Sequence, residues 1–291
     1  MTKVALLIAL LLTSNCCWSK KPLQTVASEE AKAILVFDRT SNRIVESFNA
    51  KMQLPIASIT KLMTVYVVLE SKANLNEMIT INRQKIEGSR NLKHGMRVSR
   101  QELITLSLVA SDNLAAKTLA LAHPGGYDTF IESMNLTANK LGMVDTVYVE
   151  PTGLLLNKST TWDLHLLNTA IKKHKEFAAA AMTAQTVANT VNLKGMIQHI
   201  LIRNTSMFAG KYDIAIGKTG FTNPAGWCVT MLVTHKGSEF DIIVLGSPDK
   251  KTRNNLVNLK LKDYMNRFTA SAVLKDINLI DNTELASIAL Q

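Results

Sequence analysis

Strand-forming segments lie near both ends of this chain, and a long stretch with helical periodicity separates them. Two β-rich runs at Ala33–Asp38 and Arg43–Phe48 flank four polar residues, which predicts a hairpin. Apolar residues of the stretch 55–184 recur at helical spacing, and strand texture returns at Ile214 in three runs before a closing helix over about 252–268. This order predicts an α+β fold in which strands from both chain ends form one antiparallel sheet, with the helical block packed against it.

Local signals predict where individual helices begin and end. Ser99 followed by Glu102 is a capping-box pattern, and it predicts a helix start just before the run LITLSLVA. Gly142 predicts the end of another helix that begins at about Tyr127.

The first residues have the layout of a secretory signal peptide. Lys3 precedes the apolar run 4–12, which is followed by polar and small residues as far as Ser19. The apolar run is too short to span a bilayer, which favours a signal peptide over a membrane-spanning helix. We expect cleavage after Ser19. Cleavage removes two of the three cysteines and leaves Cys228, so no internal disulfide is expected in the mature chain.

The remainder of the chain is expected to form one domain. We assign residues 1–19 to the signal peptide, 20–268 to the domain, and 269–291 to a C-terminal tail that is too short for a second domain. After the signal, no segment approaches 18 consecutive apolar residues, and the tail has no basic amphipathic face. We therefore expect no stable membrane anchor in the mature chain.

The net charge of +10 suits an anionic partner. Nucleic acid is not expected, because the chain carries an export signal and lacks a basic helix interleaved with aromatic residues. An anionic surface of the cell envelope is the alternative. The six histidines show no paired ligand spacing, so no metal site is expected either.

A serine and a lysine three residues apart, Ser58 and Lys61, stand at the head of the first predicted helix. Residues at this spacing share a helix face with Cβ atoms about 5–6 Å apart, so the amine can reach the hydroxyl. A desolvated lysine can take the proton of a serine and make it a nucleophile. The spacing alone is common, since Ser247 and Lys250 repeat it in an expected turn.

Two further motifs follow along the chain. The triplet Ser111-Asp112-Asn113 is expected between two helices, where polar residues often serve only as caps. The triplet Lys218-Thr219-Gly220 lies on the first C-terminal strand, where it would be ordinary for an edge strand. Each motif is weak alone. The three motifs together, in this order and on these elements, match the signature of penicillin-binding proteins and β-lactamases.

The chain resembles the low-molecular-mass penicillin-binding proteins, the serine D-alanyl-D-alanine peptidases of bacterial cell-wall metabolism. The likeness covers about residues 33–268 and includes ASDNLAAKTLALAHPGGYDTFIESMNLTANKLGM, EPTGL and GKTGFTNPAGWC. These strings look most like the D-alanyl-D-alanine endopeptidase branch, the penicillin-binding protein seven type. The resemblance implies a β-lactamase/transpeptidase-like fold, peptidoglycan peptides as substrates, β-lactams as inhibitors, no metal or organic cofactor, and a periplasmic location.

The resemblance also implies catalytic roles. Ser58 would attack the carbonyl carbon of a D-Ala residue and form an acyl-enzyme, with Lys61 as the general base. Lys218 would keep the Lys61 amine neutral through repulsion between like charges. Ser111 would pass a proton to the leaving amine, and Asn113 would hydrogen-bond the substrate amide.

Binding roles are implied in the same way. Lys218 and Thr219 would bind the carboxylate of the terminal D-residue, and Gly220 would let the substrate backbone approach the strand. The backbone N–H groups of Ser58 and Phe221 would form the oxyanion hole, helped at Ser58 by the N-terminus of the helix.

Four functions remain open at this point. Hydrolysis of cross-links between D-Ala and meso-diaminopimelate leads, and removal of the terminal D-Ala from pentapeptides by a carboxypeptidase follows, because the same residues serve both. A β-lactamase would need a deacylating glutamate in an ExxLN string, whereas Glu150 is followed by PTGL. A non-catalytic peptidoglycan-binding protein would usually have lost a nucleophile or base, and this chain retains both.

Overall fold

The computed structural model describes residues 29–82 and 87–266. The signal peptide expected at 1–19, the tail expected at 269–291 and the last two residues of the expected closing helix lie outside these ranges. In chain order the elements are β1 (Ala33–Asp38), β2 (Arg43–Phe48), β3 (Leu54–Pro55), a 3-10 turn (Ala57–Ile59), α1 (Thr60–Glu70), β4 (Met78–Thr80), β5 (Arg97–Ser99), α2 (Arg100–Leu108), α3 (Asn113–Leu121), α4 (Gly126–Lys140), β6 (Lys158–Ser159), α5 (Thr161–Ile171), α6 (Lys175–Met182), β7 (Gln185–Val191), β8 (Ile197–Arg203), β9 (Asp213–Thr222), β10 (Gly226–His235), β11 (Ser238–Ser247) and α7 (residues 250–266).

The main sheet has five strands in the order β2-β1-β11-β10-β9, and every neighbouring pair is antiparallel. The N-terminal hairpin of β1 and β2 joins the C-terminal strands through the pairing of β1 with β11. The expected α+β fold, with an antiparallel sheet built from both chain ends, is confirmed. Strand β9, which carries the Lys-Thr-Gly triplet, forms one edge of this sheet.

Both faces of the main sheet are covered. Successive residues of a strand point to opposite faces, so Leu35 of β1 packs with the helical block, whereas Ile34 and Val36 pack with Leu256 and Val257 of α7. This two-sided burial explains the unbroken apolar run at the start of β1, because a strand covered on both faces needs apolar side chains on both.

Helix α1 lies at the centre of the helical block, and residues 60–68 are all buried. Its buried polar side chains therefore need partners inside the protein. Thr64, for example, donates a hydrogen bond from Oγ1 to the carbonyl oxygen of Pro151 at 2.7 Å. Within residues 29–82 and 87–266, no helix has both the length and the apolar character needed to cross a bilayer.

The predicted helix starts agree with the structure. The hydroxyl of Ser99 accepts a hydrogen bond from the backbone N–H of Glu102 at 3.1 Å and caps α2. The Glu102 carboxylate instead accepts from the backbone and side-chain amides of Asn189 on β7, at 3.1 and 3.2 Å. The helix expected at about 127–141 is α4.

A second sheet, with the order β4-β5-β7-β8, was not predicted from the sequence. Strands β4 and β5 have three residues each, too few to show a period, and they fall inside the stretch that was predicted to be helical. Strand β7 turns Ala188 and Thr190 inward and Val187 and Asn189 outward, so its apolar residues do not alternate with its polar ones. The prediction of helix from 55 to 184 was therefore too simple.

Candidate active site

Ser58 lies in the 3-10 turn that leads directly into α1. The turn is backed by two close backbone contacts, and both need glycine. A Cβ at Gly153, whose φ is +88°, would overlap the carbonyl group of Ala57. A Cβ at Gly220 would lie 2.9 Å from the Ile56 carbonyl oxygen and 3.0 Å from the Ser58 nitrogen. Gly220 thus lies against the turn that carries Ser58. Its expected role, to let the substrate backbone approach the strand, stays a prediction.

Lys61 reaches Ser58 from the next turn of the same helical segment. Its Nζ donates a hydrogen bond to Ser58 Oγ at 2.8 Å and another to the carbonyl oxygen of Thr152 at 2.6 Å. The side chain is fully buried, and loss of solvation lowers its pKa to about 7, although the charges of Glu150 and Asp112 act in the opposite direction. A substantial fraction of this amine is therefore neutral near pH 7.

A second buried lysine serves a second serine. Lys218 Nζ donates to Ser111 Oγ at 2.9 Å and to the carbonyl oxygen of Thr219 at 3.0 Å. Burial lowers the pKa of Lys218 well below its usual range, and repulsion by Lys61 lowers it further. Burial is the main cause of the lowered pKa at both lysines, and the repulsion between them acts in the same direction. The role expected of Lys218 in keeping Lys61 neutral stays a prediction.

Asn113 is the first residue of α3, directly after the capping residue Asp112. Its side-chain amide donates to the carbonyl oxygen of Glu87, while its Oδ1 is buried without a hydrogen-bond partner in the described part of the chain. Asp112 accepts from the backbone N–H groups of Leu114 and Ala115. Asp112 is thus a helix cap, and Asn113 Oδ1 is an acceptor with capacity to spare.

Strand β9 supplies the opposite wall. Thr219 Oγ1 donates to Thr205 Oγ1 at 2.9 Å, and the half-exposed ring of Phe221 stacks on Trp227 with ring centroids 4.3 Å apart. Phe221 directly follows Gly220, which contacts the Ser58 backbone. The backbone of Phe221 is therefore close along the strand to the nucleophile turn.

These residues surround one cleft of about 760 Å³. Of the predicted site residues, those that line it are Ser58, Ser111, Asn113, Thr219, Gly220 and Phe221. Lys61 and Lys218 are almost fully buried, each hydrogen-bonded to a serine that lines the cleft. The structure thus brings together all the residues that the three motifs nominated, although Ser58 and Lys218 are 160 positions apart in the chain.

Sequence reasoning missed the cations of the cleft wall. Arg90, Arg203, Lys250 and Arg253 line the cleft. They lie on three separate segments, since the last two both belong to α7, and none was assigned to the site from the sequence. Arg253 donates to the carbonyl oxygen of Cys228 at 3.3 Å and lies over the Trp227 ring at 5.6 Å from its centroid. Burial lowers the pKa of Arg253 to about 10, so it remains cationic at neutral pH.

The role of the EPTGL string was also missed. Thr152 supplies the carbonyl oxygen that accepts from Lys61, and Gly153 supports the nucleophile turn. The string contributed to the resemblance to the family, but its side chains did not indicate a contact with Lys61. The atom of Thr152 that makes this contact belongs to the backbone. Only the folded chain reveals this contact.

Comparison with known proteins finds related sequences over most of the chain. A profile of the D-alanyl-D-alanine carboxypeptidase family matches residues 20–249. A D-alanyl-D-alanine endopeptidase of Pseudomonas aeruginosa is 37% identical over 236 residues, covering 79% of this chain and 74% of that protein.

Two solved structures share the fold and match at 26–27% identity. A mutant of the Streptomyces K15 DD-transpeptidase has a TM-score of 0.75 and 26% identity, covering 81% of this chain and 97% of that one. Ampicillin-bound penicillin-binding protein D2 of Listeria monocytogenes has a TM-score of 0.69 and 27% identity, covering 80% and 96%.

Proposed function

The chain belongs to the D-alanyl-D-alanine carboxypeptidase family and is a serine DD-peptidase, and from that premise we propose that it is an endopeptidase that hydrolyses the D-Ala to meso-diaminopimelate cross-links of peptidoglycan. The observation that carries the chemistry is the Ser58–Lys61 pair, 2.8 Å apart at the cleft, with a lysine whose pKa is lowered to about 7. The choice of an endopeptidase is supported by the likeness to the Pseudomonas aeruginosa endopeptidase. Such a lysine can act as a base near neutral pH.

In the proposed acylation step, neutral Lys61 takes the proton of Ser58 Oγ, and the oxygen attacks the D-Ala carbonyl carbon. The backbone N–H groups of Ser58 and Phe221 would stabilise the resulting oxyanion. Ser111, held by Lys218 at 2.9 Å, would pass a proton to the leaving nitrogen as the amide bond breaks. Water then hydrolyses the ester on Ser58, which releases the new carboxylate and restores the hydroxyl.

Substrate would bind along β9. Thr219 and the cations Arg203 and Arg253 are suited to the carboxylate beside the scissile amide. The free acceptor Asn113 Oδ1 is suited to an amide N–H on the acyl side. These groups would bind a meso-diaminopimelate residue or a terminal D-Ala equally well, so the geometry supports a carboxypeptidase as the second candidate.

The test uses cross-linked muropeptide dimers and pentapeptide monomers, with Ser58→Ala as the matched inactive variant. Mass spectrometry of the products should show dimers converted to monomers by the wild type alone. Loss of one alanine from pentapeptides with dimers intact would favour the carboxypeptidase. Absence of product from both substrates would favour a binding protein.

A long-lived penicilloyl adduct on Ser58 is part of the proposal. Glu150 is the glutamate that was compared with the deacylating residue of the ExxLN string. Its carboxylate already accepts hydrogen bonds from Thr152 and Asn157. It is therefore poorly suited to activate water against the ester. Intact-protein mass spectrometry after incubation with benzylpenicillin should show the adduct persisting, and rapid turnover would favour a β-lactamase.

The proposal also includes export to the periplasm as a mature chain that begins after Ser19. It is supported by the charged, apolar and small-residue order of the first 19 residues. Fractionation of expressing cells, followed by N-terminal sequencing, tests both the location and the cleavage position.

A further inference from the structure

The segment 150–153 touches both the nucleophile turn and the general base, and one buried carboxylate holds it there. Oε2 of Glu150 accepts hydrogen bonds from Thr152 N at 2.7 Å and Thr152 Oγ1 at 2.6 Å. Oε1 accepts from Gly153 N and from Asn157 Nδ2, the latter at 3.0 Å. Since all four partners are donors, the ionised acceptor-only form of Glu150 is the one that this site fits.

Asn157 ties the same segment to α1. Its Nδ2 donates to the backbone oxygen of Glu150 at 2.8 Å and to Thr60 Oγ1 at 3.0 Å, and its Oδ1 accepts from the backbone N–H groups of Val149 and Glu150. Both side chains are buried. Glu150 and Asn157 thus form a buried polar link between the segment and the helix that carries the base.

Three successive carbonyl oxygens of the segment accept hydrogen bonds from Asn157 and from two residues of α1. The oxygens of residues 150, 151 and 152 accept from Asn157, Thr64 and Lys61 respectively, at 2.8, 2.7 and 2.6 Å. Gly153 then contacts the Ala57 carbonyl. The distance between Lys61 Nζ and Ser58 Oγ is therefore set from two sides, by the helix and by this segment.

We propose that Glu150 is a positioning residue for the reaction, which holds the Thr152 carbonyl against Lys61 Nζ and supplies a negative charge that the buried amine senses. This inference rests on the proposed role of Lys61 as the general base. The charged groups that face Lys61 are Glu150, Asp112 from the loop before α3, and Lys218 from β9. Glu150 is the larger of the two charges that raise the pKa of Lys61.

The Glu150→Gln variant tests both parts. The Gln amide keeps the size of the side chain but turns an NH₂ group toward N–H donors, which loosens the segment. Misplacement of the base by a fraction of an ångström to about 1 Å lowers acylation by about 10- to 100-fold. Loss of the negative charge also lowers the pKa of Lys61, so the rise of the acylation rate with pH should move to lower pH.

The experiment measures the acylation rate by a fluorescent penicillin from pH 5 to 9 for the wild type, Glu150→Gln and the control Glu132→Gln. Glu132 is an exposed glutamate on α4, so its variant should match the wild type. A slower Glu150→Gln enzyme with its rise shifted to lower pH supports the inference. A wild-type rate, or a slower rate with an unmoved rise, overturns it.

A second variant covers the case in which Glu150→Gln does not fold, as judged by circular dichroism. Glu150→Asp keeps the charge but is one methylene shorter, so the rate should fall while the pH of the rise stays unchanged. A wild-type rate or a shifted rise in this variant overturns the inference. Failure of the proposed acylation of Ser58 is distinct, because the wild type itself would then form no adduct. Failure of the endopeptidase assignment alone would show in the muropeptide products and would leave this comparison of variants unaffected.

Discussion

Lys218 Nζ donates a hydrogen bond to Ser111 Oγ at 2.9 Å, although the two residues are 107 positions apart in the chain. A second lysine and serine, Lys61 and Ser58, are only three positions apart and lie 2.8 Å from each other. The cleft therefore contains two Lys–Ser pairs, one made by a helical segment and one made by tertiary structure. In each pair the hydroxyl lines the cleft and the amine is buried.

The two members of the Lys218–Ser111 pair should act as one unit. Ser111→Ala and Lys218→Met are each expected to slow acylation by penicillin by about 100- to 1,000-fold or more, on the scale of lost proton transfer, because each removes one end of the same proton path. The double variant should be little slower than either single variant, since groups that act together are not additive. A double loss equal to the product of the single losses would show that the residues act separately.

The acylation rate of the wild type should depend on pH through Lys61. The base must be neutral, and its pKa is lowered to about 7, so the rate should be low at pH 5, half-maximal near pH 7 and level by pH 9. Stopped-flow measurements with a fluorescent penicillin test this. A rate that becomes half-maximal only near pH 10 would contradict it, because the ordinary pKa of a lysine amine is about 10.4.

Gly153 should not tolerate a side chain. An alanine there must adopt a φ of +88°, which costs about 1–2 kcal/mol, and its Cβ must also displace the backbone of Ala57. We expect Gly153→Ala to lower the melting temperature and to reduce penicillin acylation. The matched control is Gly237→Ala, with a φ of +75° and nothing within 4 Å of the added Cβ. Equal behaviour of the two variants would mean that contact with the nucleophile turn is unimportant.

Asp241 should matter for stability and not for chemistry. It is fully buried on β11 and accepts from Arg39 Nε at 2.7 Å and Asn168 Nδ2 at 2.8 Å, with His165 Nδ1 at 2.6 Å. Asp241→Ala leaves the Arg39 charge without its partner, which typically costs about 3–5 kcal/mol when the pair is buried. Denaturant unfolding measures this cost. Acylation by penicillin at 20 °C should stay close to the wild-type rate, since none of these residues lines the cleft.

How much of the site was predictable depends on how local each contact is. The Ser58–Lys61 contact follows from helix geometry alone, because residues three apart share a face. The meeting of Ser111 with Lys218 could be expected only from the order of the three motifs, since no spacing rule joins residues so far apart.

The contacts that were missed are made by the backbone or by residues outside any motif. The Thr152 carbonyl and the close approach of Gly220 to Ser58 involve main-chain atoms, which sequence patterns do not mark. In the fold, too, only the elements that leave a pattern in the sequence were predicted. The long, apolar strands of the main sheet were predicted, whereas β4 and β5 are too short, and β7 too polar on its inner face, to give a period.

The pairing of β1 with β11 has a consequence for how the chain folds. Strand β1, the first of the main sheet in the chain, pairs with β11, the last. The hydrogen bonds between residues 33–38 and residues 238–247 therefore cannot form until β11 has been synthesised. Closing so large a loop is slow, because its entropy is lost before the contact compensates for it. A chain that lacks residues 238–247 cannot complete its main sheet, and the inner edge of β1 then stays unpaired. Exposed apolar surface and unpaired strand edges of this kind are prone to aggregation.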